Sequence, residues 1–134
     1  MHTPPPAADF LGCPLHPISV RDFIAAATGG ARLRIAYLNA HTSNLAARDS
    51  HLRDILRACD IVYADGQAVV WAARLLGIRA PERVNAGDFI TRFLQVCAEK
   101  SLRVYLLGSK EGVAQRAAEV WQHQIGRASC RERV

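Results

Sequence analysis

Asp65 is followed at once by a glycine, in the run Ile61-Val-Tyr-Ala-Asp65-Gly66-Gln67. A carboxylate just past an apolar stretch, beside a residue without a side chain, stands where a substrate can approach. There it can serve as general base toward an attacking hydroxyl. Its other use is to cap the helix that follows, and from position alone capping is the commoner one. Asn39 holds the matching place after Leu33–Leu38 (LRIAYL). It can hydrogen-bond a sugar hydroxyl or a base edge, or simply form the turn. Gly66 and Gln67 adjoin Asp65 and count with it as substrate-binding positions. Arg83, between Glu82 and Val84, can clamp a diphosphate or pair with Glu82 at the surface. Gly108 opens Gly108-Ser-Lys-Glu-Gly112 between a strand pattern and a helix pattern, and the N–H groups of a helix start can hold a phosphate. That loop matches neither the dinucleotide fingerprint nor the P-loop.

Other chemistries lack their residues. There is no Asp-x-Asp pair of the kind that holds a metal on a nucleotide diphosphate, and no Gly-x-Ser-x-Gly elbow. No metal site and no cofactor is therefore expected. Cys13, Cys59 and Cys97 lie in apolar stretches without a C-x-x-C spacing, which fits reduced thiols of a cytoplasmic protein. The five histidines are scattered, and the Pro-rich start lacks the basic and apolar regions of a signal peptide.

The elements that must position these residues follow from composition and period. The 134 residues are 50% hydrophobic and 22% charged, enough apolar material for one globular domain, and the formal charge is +5. So small and scattered an excess argues against a nucleic-acid partner. Residues 1–9 read as a loose Pro- and Ala-rich leader, and 10–13 (FLGC) as a short strand. Ser19 is expected to cap a helix that stops at Gly29-Gly30, and Leu33–Leu38 to form a buried strand. A short helix over Thr42–Arg48 and another capped by Ser50 lead to a strand at Ile61–Ala64. Gln67–Leu76 is apolar almost all round, so it should lie inside the protein. A helix from Asp88, a strand at Leu102–Leu107, and a helix carrying Val113, Ala117, Val120 and Trp121 complete the pattern.

Strands alternating with helices imply an α/β fold, a Rossmann-like parallel sheet with helices on both faces. Ligands in such sheets sit at the carboxyl ends of the strands, where Asn39, Asp65 and Gly108 fall. The final segment, 125–134 (IGRASCRERV), breaks the helical spacing and matches the translation of a sequencing adapter. We set it aside as a non-native tail, so 10–124 is the expected domain, with its C-terminal part missing and natural sequence continuing beyond Gln124.

The runs YLNAHTSNLAARDSHLRDILRACDIVYADGQAVVWAARLLG (37–77), ERVNAGDF (82–89) and LRVYLLGSKEGVAQRAAE (102–119) together resemble the bacterial WecG/TagA/CpsF glycosyltransferase family. The resemblance covers about residues 10–124, in the family's order and spacing. It implies transfer of a sugar, typically N-acetylmannosamine, from a UDP donor to an undecaprenyl-diphosphate-linked acceptor, with inversion and without a metal. It further implies peripheral contact with the inner face of the cytoplasmic membrane, and allows self-association. The family's catalytic base falls on Asp65, its strand-end Asn on Asn39, and its Glu-Arg-Val segment on Glu82–Val84. The chain departs from the family at Tyr37, where Thr is usual, at Ala68, where Gly is usual, and in the turn Val84–Asp88. The rival reading is a nucleotide-binding module without catalysis, which shares the fold and so differs only at the site.

Overall fold

The computed structural model describes residues 5–79, 82–108, 110–125 and 130–131. The chain divides into two compact units, Met1–Gly87 and Asp88–Val134.

The first unit opens with an antiparallel hairpin of β1 (Ala8–Phe10) and β2 (Cys13–Leu15). The turn between them puts Leu11 at φ 53° and Gly12 at φ 85°, the left-handed pair of a tight two-residue connection. Asp9 Oδ1 accepts from the Gly12 amide at 3.1 Å. This corrects the expected single strand over 10–13: that run contains the turn, and Ala8 and Asp9 belong to a strand instead of a leader. Leu11 lacks the usual sequence signal for such a turn. Burial of Phe10, Cys13 and Leu15 on either side holds it in place.

Helix α1 (Val20–Ala27) starts as its sequence requires, with Ser19 Oγ accepting from the Asp22 amide at 3.1 Å. Thr28 then closes it, and Gly30 turns away at φ 84°. Next come β3 (Ile35–Leu38), α2 (Ala40–Arg48), α3 (Ser50–Arg57) and β4 (Ile61–Ala64). The cap of α3 is Asp49, not Ser50: its Oδ1 accepts from the amides of His51 and Leu52. Arg53 reaches back with Nη1 to the carbonyl of Ala46 at 2.8 Å, a cation on the end of α2. Strands β3 and β4 pair in parallel, Ile35 to Ile61 through Leu38 to Ala64. Parallel strands need a crossover of this length, and α2 with α3 supplies it.

Every residue of β4 is buried, and Leu38, Val62 and Ala64 join Phe10, Leu15 and Leu56 in one core. His16 ties the end of β2 to β4 twice. Its amide donates to the Val62 carbonyl at 2.8 Å, and its Nδ1 accepts from the Val62 amide at 3.0 Å. Helix α4 (Gln67–Leu75) buries Val69, Val70 and Ala73 against the same core. The expectation that the whole helix lies inside is corrected, because Trp71, Leu75 and the following Leu76 face solvent.

Helix α5 (Ala86–Glu99) begins two residues before the expected Asp88 and buries Phe89, Leu94 and Cys97. In the second unit Leu102 returns its amide to the Cys97 carbonyl at 2.8 Å. Strand β5 is only Val104–Tyr105, shorter than the Leu102–Leu107 pattern, and α6 spans Val113–Ile125 with no fully buried residue. Strand β6 (Cys130–Arg131) pairs in parallel with β5. Within the segment that the sequence set aside, Ile125 therefore closes a helix and Cys130–Arg131 joins a strand pair. Among the described residues the strands pair two by two, and parallel pairing with helical connections makes the fold α/β.

Candidate active site

The register of β3 and β4 brings two sequence candidates together. Leu38 lies opposite Ala64, so Asn39 and Asp65 leave adjacent strand ends side by side, and the Asp65 amide donates to the Leu38 carbonyl at 2.8 Å. Each then turns into a helix in its own way. Asn39 is the N-cap of α2: its Oδ1 accepts from the Thr42 amide at 2.8 Å. That bond uses the oxygen and leaves the side-chain NH2 as the group with which Asn39 can meet a ligand.

Asp65 does not cap α4. The cap residue is Gly66, at φ 126° and ψ 142°, and no side chain bonds the first amides of that helix. Such a conformation is all but restricted to glycine. A Cβ on Gly66 would lie 3.9 Å from that of Asn39, which shows how close the two strand ends run. Gln67 is the exposed first residue of α4.

The Asp65 carboxylate instead meets Asn85, a residue that sequence reasoning passed over. Asn85 Nδ2 donates to Asp65 Oδ1 at 2.7 Å, while Asn85 Oδ1 accepts from the Gly87 amide at 2.9 Å. The second bond fixes which end of the Asn85 amide points at the carboxylate. The segment reaches Asp65 because Val84 is fully buried and its amide donates to the Ala64 carbonyl at 2.8 Å. Burying a valine is worth roughly 1.5–3 kcal/mol. Only the apolar Val84 in an otherwise polar stretch hinted at this anchor.

Glu82 and Arg83 belong to the same segment. Glu82 Oε2 accepts from the Val20 amide at 3.0 Å, a carboxylate on the first turn of α1, and Arg83 is exposed. The positive end of a helix favours such a carboxylate.

Two tyrosines stand two strand positions before Asn39 and Asp65. Tyr37 and Tyr63 are register partners with ring centroids 6.3 Å apart, and Tyr63 meets the edge of Phe23 at 5.0 Å. Burial, then the nearby Asp65 carboxylate and Tyr37, pushes the Tyr63 hydroxyl up to about 12. Tyr63 therefore stays protonated at neutral pH. Tyr37 is 46% exposed, an aromatic surface on the open side. A cleft of about 220 Å³ opens between the first turns of α2 and α4, lined there by Ala40, Ser43, Ala68 and Ala72.

Gly108 lies in the second unit, at φ 125° after β5. It lines an open cleft of about 450 Å³ with Tyr105, Leu107, Val113 and Trp121. Ser109 of that loop lies outside the described residues. Among the described residues no three His, Cys, Asp or Glu side chains gather as metal ligands would, and no helix is long and apolar enough to cross a membrane.

The arrangement offers one oriented carboxylate at paired strand ends, amide donors beside it and a cleft alongside, the parts needed to deprotonate a bound hydroxyl. Among curated proteins, none matches the chain. A family model does: that of the glycosyl transferase WecG/TagA/CpsF family matches residues 8–132, from the first strand past Gln124 through most of the segment set aside on sequence grounds. With the match running over nearly the whole chain, the protein belongs to the WecG/TagA/CpsF family and is a glycosyltransferase.

Proposed function

We propose that this site moves a sugar, of the N-acetylmannosamine type, from a UDP donor to a polyprenyl-diphosphate-linked acceptor at the inner face of the cytoplasmic membrane. The observation that carries the reading is the Asp65 carboxylate, held by Asn85 at 2.7 Å and not consumed in capping α4. Asp65 takes the proton of the acceptor hydroxyl as that oxygen bonds to the anomeric carbon. The bond from that carbon to the donor's diphosphate breaks, and its electron pair leaves with UDP. Attack from the side opposite the leaving group inverts the anomeric centre.

Charge builds on the departing diphosphate, and positioned cations or helix N-termini offset such charge most effectively where water is excluded. Arg83 is the cation on the segment that returns to β4, and the first amides of α4, free of any side-chain cap, are donors beside Asp65. Gly66, Gln67 and the Asn39 amide would hold the sugar. The test is transfer of labelled sugar from UDP-N-acetylmannosamine to a polyprenyl-diphosphate-linked sugar acceptor, with the linkage read by NMR. Product with the inverted anomeric configuration is expected. Donor binding without any transfer would favour the rival reading of a nucleotide-binding module.

A further inference from the structure

Three aromatic rings form a row beside the strand ends, and only the outermost faces water. Phe23 and Tyr63 are 6% and 8% exposed, whereas Tyr37 is 46% exposed. Tyr63 meets Phe23 edge-on at 5.0 Å, and the Tyr37 ring lies tilted by 45° against Tyr63 with centroids 6.3 Å apart. Tyr37 thus starts from a packed contact, and little rotamer freedom is left to lose when a ligand meets its open side. Tyr37 stands two positions before Asn39, whose backbone is still extended, at φ −118° and ψ 178°. Side chains two apart on an extended chain share a face, so Tyr37 and Asn39 lie on one side of β3.

A held aromatic ring with one open side takes flat or C–H-bearing surfaces, because its face is the negative pole of its quadrupole and C–H hydrogens carry the opposite partial charge. A nucleotide sugar offers two such surfaces, the base and the hexose. Position chooses between them. Tyr37 is roughly 7 Å along the strand from Asn39, at about 3.3 Å per residue. Asp65 leaves the adjacent strand end, with its amide on the Leu38 carbonyl. In the reaction at Asp65 the anomeric carbon lies within reach of that carboxylate, and the ribose and two phosphates separate the base from that carbon. A ring this near Asp65 therefore meets the hexose and not the base. The rim of a pyranose carries its equatorial hydroxyls, and its faces carry axial C–H bonds. The Asn39 side-chain NH2 suits the rim and Tyr37 the face, so two residues on one side of β3 read the two chemistries of one sugar.

We propose that Tyr37 is a specificity-determining residue for the donor: its ring stacks on a C–H face of the transferred hexose and excludes a hexose with an axial hydroxyl on that face. The proposal rests on the reading of a UDP-sugar donor at Asp65, and it names the side chain that grips the sugar independently of the nucleotide.

The experiment measures, by calorimetry, the binding of UDP and of UDP-N-acetylmannosamine to the full chain, to Tyr37→Phe and to Tyr37→Leu. Tyr37→Leu keeps an apolar side chain but not the flat ring. It should weaken the nucleotide sugar by about fivefold, the scale of one aromatic contact, and leave UDP unchanged. Tyr37→Phe should bind both ligands as the parent does. In proton NMR the hexose ring protons should move upfield on the parent and on Tyr37→Phe, through the ring current of the stacked face, and should lose that shift on Tyr37→Leu. Tyr37→Leu also removes the contact with Tyr63, so thermal melts accompany the titrations; where it lowers the melt, the NMR shift on the parent and on Tyr37→Phe decides. Equal weakening of UDP and of the nucleotide sugar would move the ring to the base and overturn the proposal. So would unchanged affinity in Tyr37→Leu, absence of the upfield shift, or a Tyr37→Phe as weak as Tyr37→Leu, which would give the contact to the hydroxyl. A parent that binds neither ligand overturns the donor reading and the proposal with it, whereas a binding parent that is indifferent to Tyr37→Leu overturns only the role of Tyr37.

Discussion

Asn85 donates a 2.7 Å hydrogen bond to Oδ1 of Asp65 across twenty positions of sequence. The bond occupies one carboxylate oxygen and fixes the orientation of the group. It exists because Val84, the preceding residue, is locked into the core with its amide on Ala64. Asp65 and Asn85 are thus both held by the buried strand β4 and not by the loops around them.

Asp65→Asn should fold like the parent. The new side chain keeps an oxygen with which to accept from Asn85, and no helix cap is lost. Donor binding should be retained, while turnover falls by roughly 10²-fold or more, the usual scale for a positioned acid or base. Steady-state transfer assays beside a thermal melt check this. Turnover within a few-fold of the parent would remove Asp65 from the chemistry.

Asn85→Ala separates positioning from chemistry. The carboxylate stays but loses its donor, so kcat should drop by about tenfold, less than for Asp65→Asn, with KM for the donor nearly unchanged. Because Gly87 also loses its acceptor, a stability loss of about 1 kcal/mol should accompany it. Asn85→Gln, which can reach the same oxygen with a longer arm, should recover part of kcat. An equal fall in all three variants would mean that Asn85 acts only through the fold.

The sequence made the strand ends legible because β4 is apolar at every position and stops at Asp65-Gly66, a pattern that survives any tertiary context. It could not decide between a catalytic and a capping Asp65, since both uses need the same residue at the same place; the structure makes Gly66 the cap residue and so removes the capping use. Asn85 was illegible for a different reason. Its partner is remote in sequence, and the only local sign was one valine among polar neighbours. Helix α4 misled because periodicity reports which faces are apolar, not which are covered, and Leu75 is apolar and almost fully exposed. The hairpin at Leu11-Gly12 was hidden by a leucine in a conformation that leucine seldom adopts.

Gly66→Ala tests the junction itself. The substitution meets no close atom, since the nearest, the Cβ of Asn39, is 3.9 Å away, but it forces a side chain onto φ 126°. The strain should cost about 1–3 kcal/mol, or be relieved by moving Asp65 away from Asn85. In either case the melt and the transfer assay should fall together. A variant as stable and active as the parent would show that this turn adapts freely.

Transfer should survive EDTA. The sequence lacks an Asp-x-Asp pair, and the reading gives charge compensation to Arg83 and to the uncapped start of α4. Arg83→Ala should then raise KM for the donor and lower kcat while retaining the fold, because Arg83 is exposed. Loss of activity in EDTA with recovery in Mg²⁺ or Mn²⁺ would assign that role to a metal.

The His16 bridge makes a prediction about acid stability. Burial holds the imidazole pKa below its ordinary 6.5, and Nδ1 is the atom that accepts from the Val62 amide. In the unfolded chain the ring takes up a proton as pH falls through about 6.5, while in the folded protein it resists until a lower pH. The unfolded state therefore binds more protons in that window. His16 contributes its full stability above 6.5 and loses it progressively below, as pH falls toward the folded-state value. Protonation at Nδ1 also replaces an acceptor with a donor facing the Val62 N–H, which breaks the tie between β2 and β4. Thermal melts from pH 8 to pH 5 should show the midpoint falling below about 6.5. His16→Asn, whose Oδ1 can accept from the same amide without titrating, should flatten that fall. His16→Ala should be less stable than the parent at pH 8 by about 1–3 kcal/mol, the cost of leaving a buried N–H without its acceptor. An unchanged pH profile in His16→Asn would place the acid sensitivity in other groups.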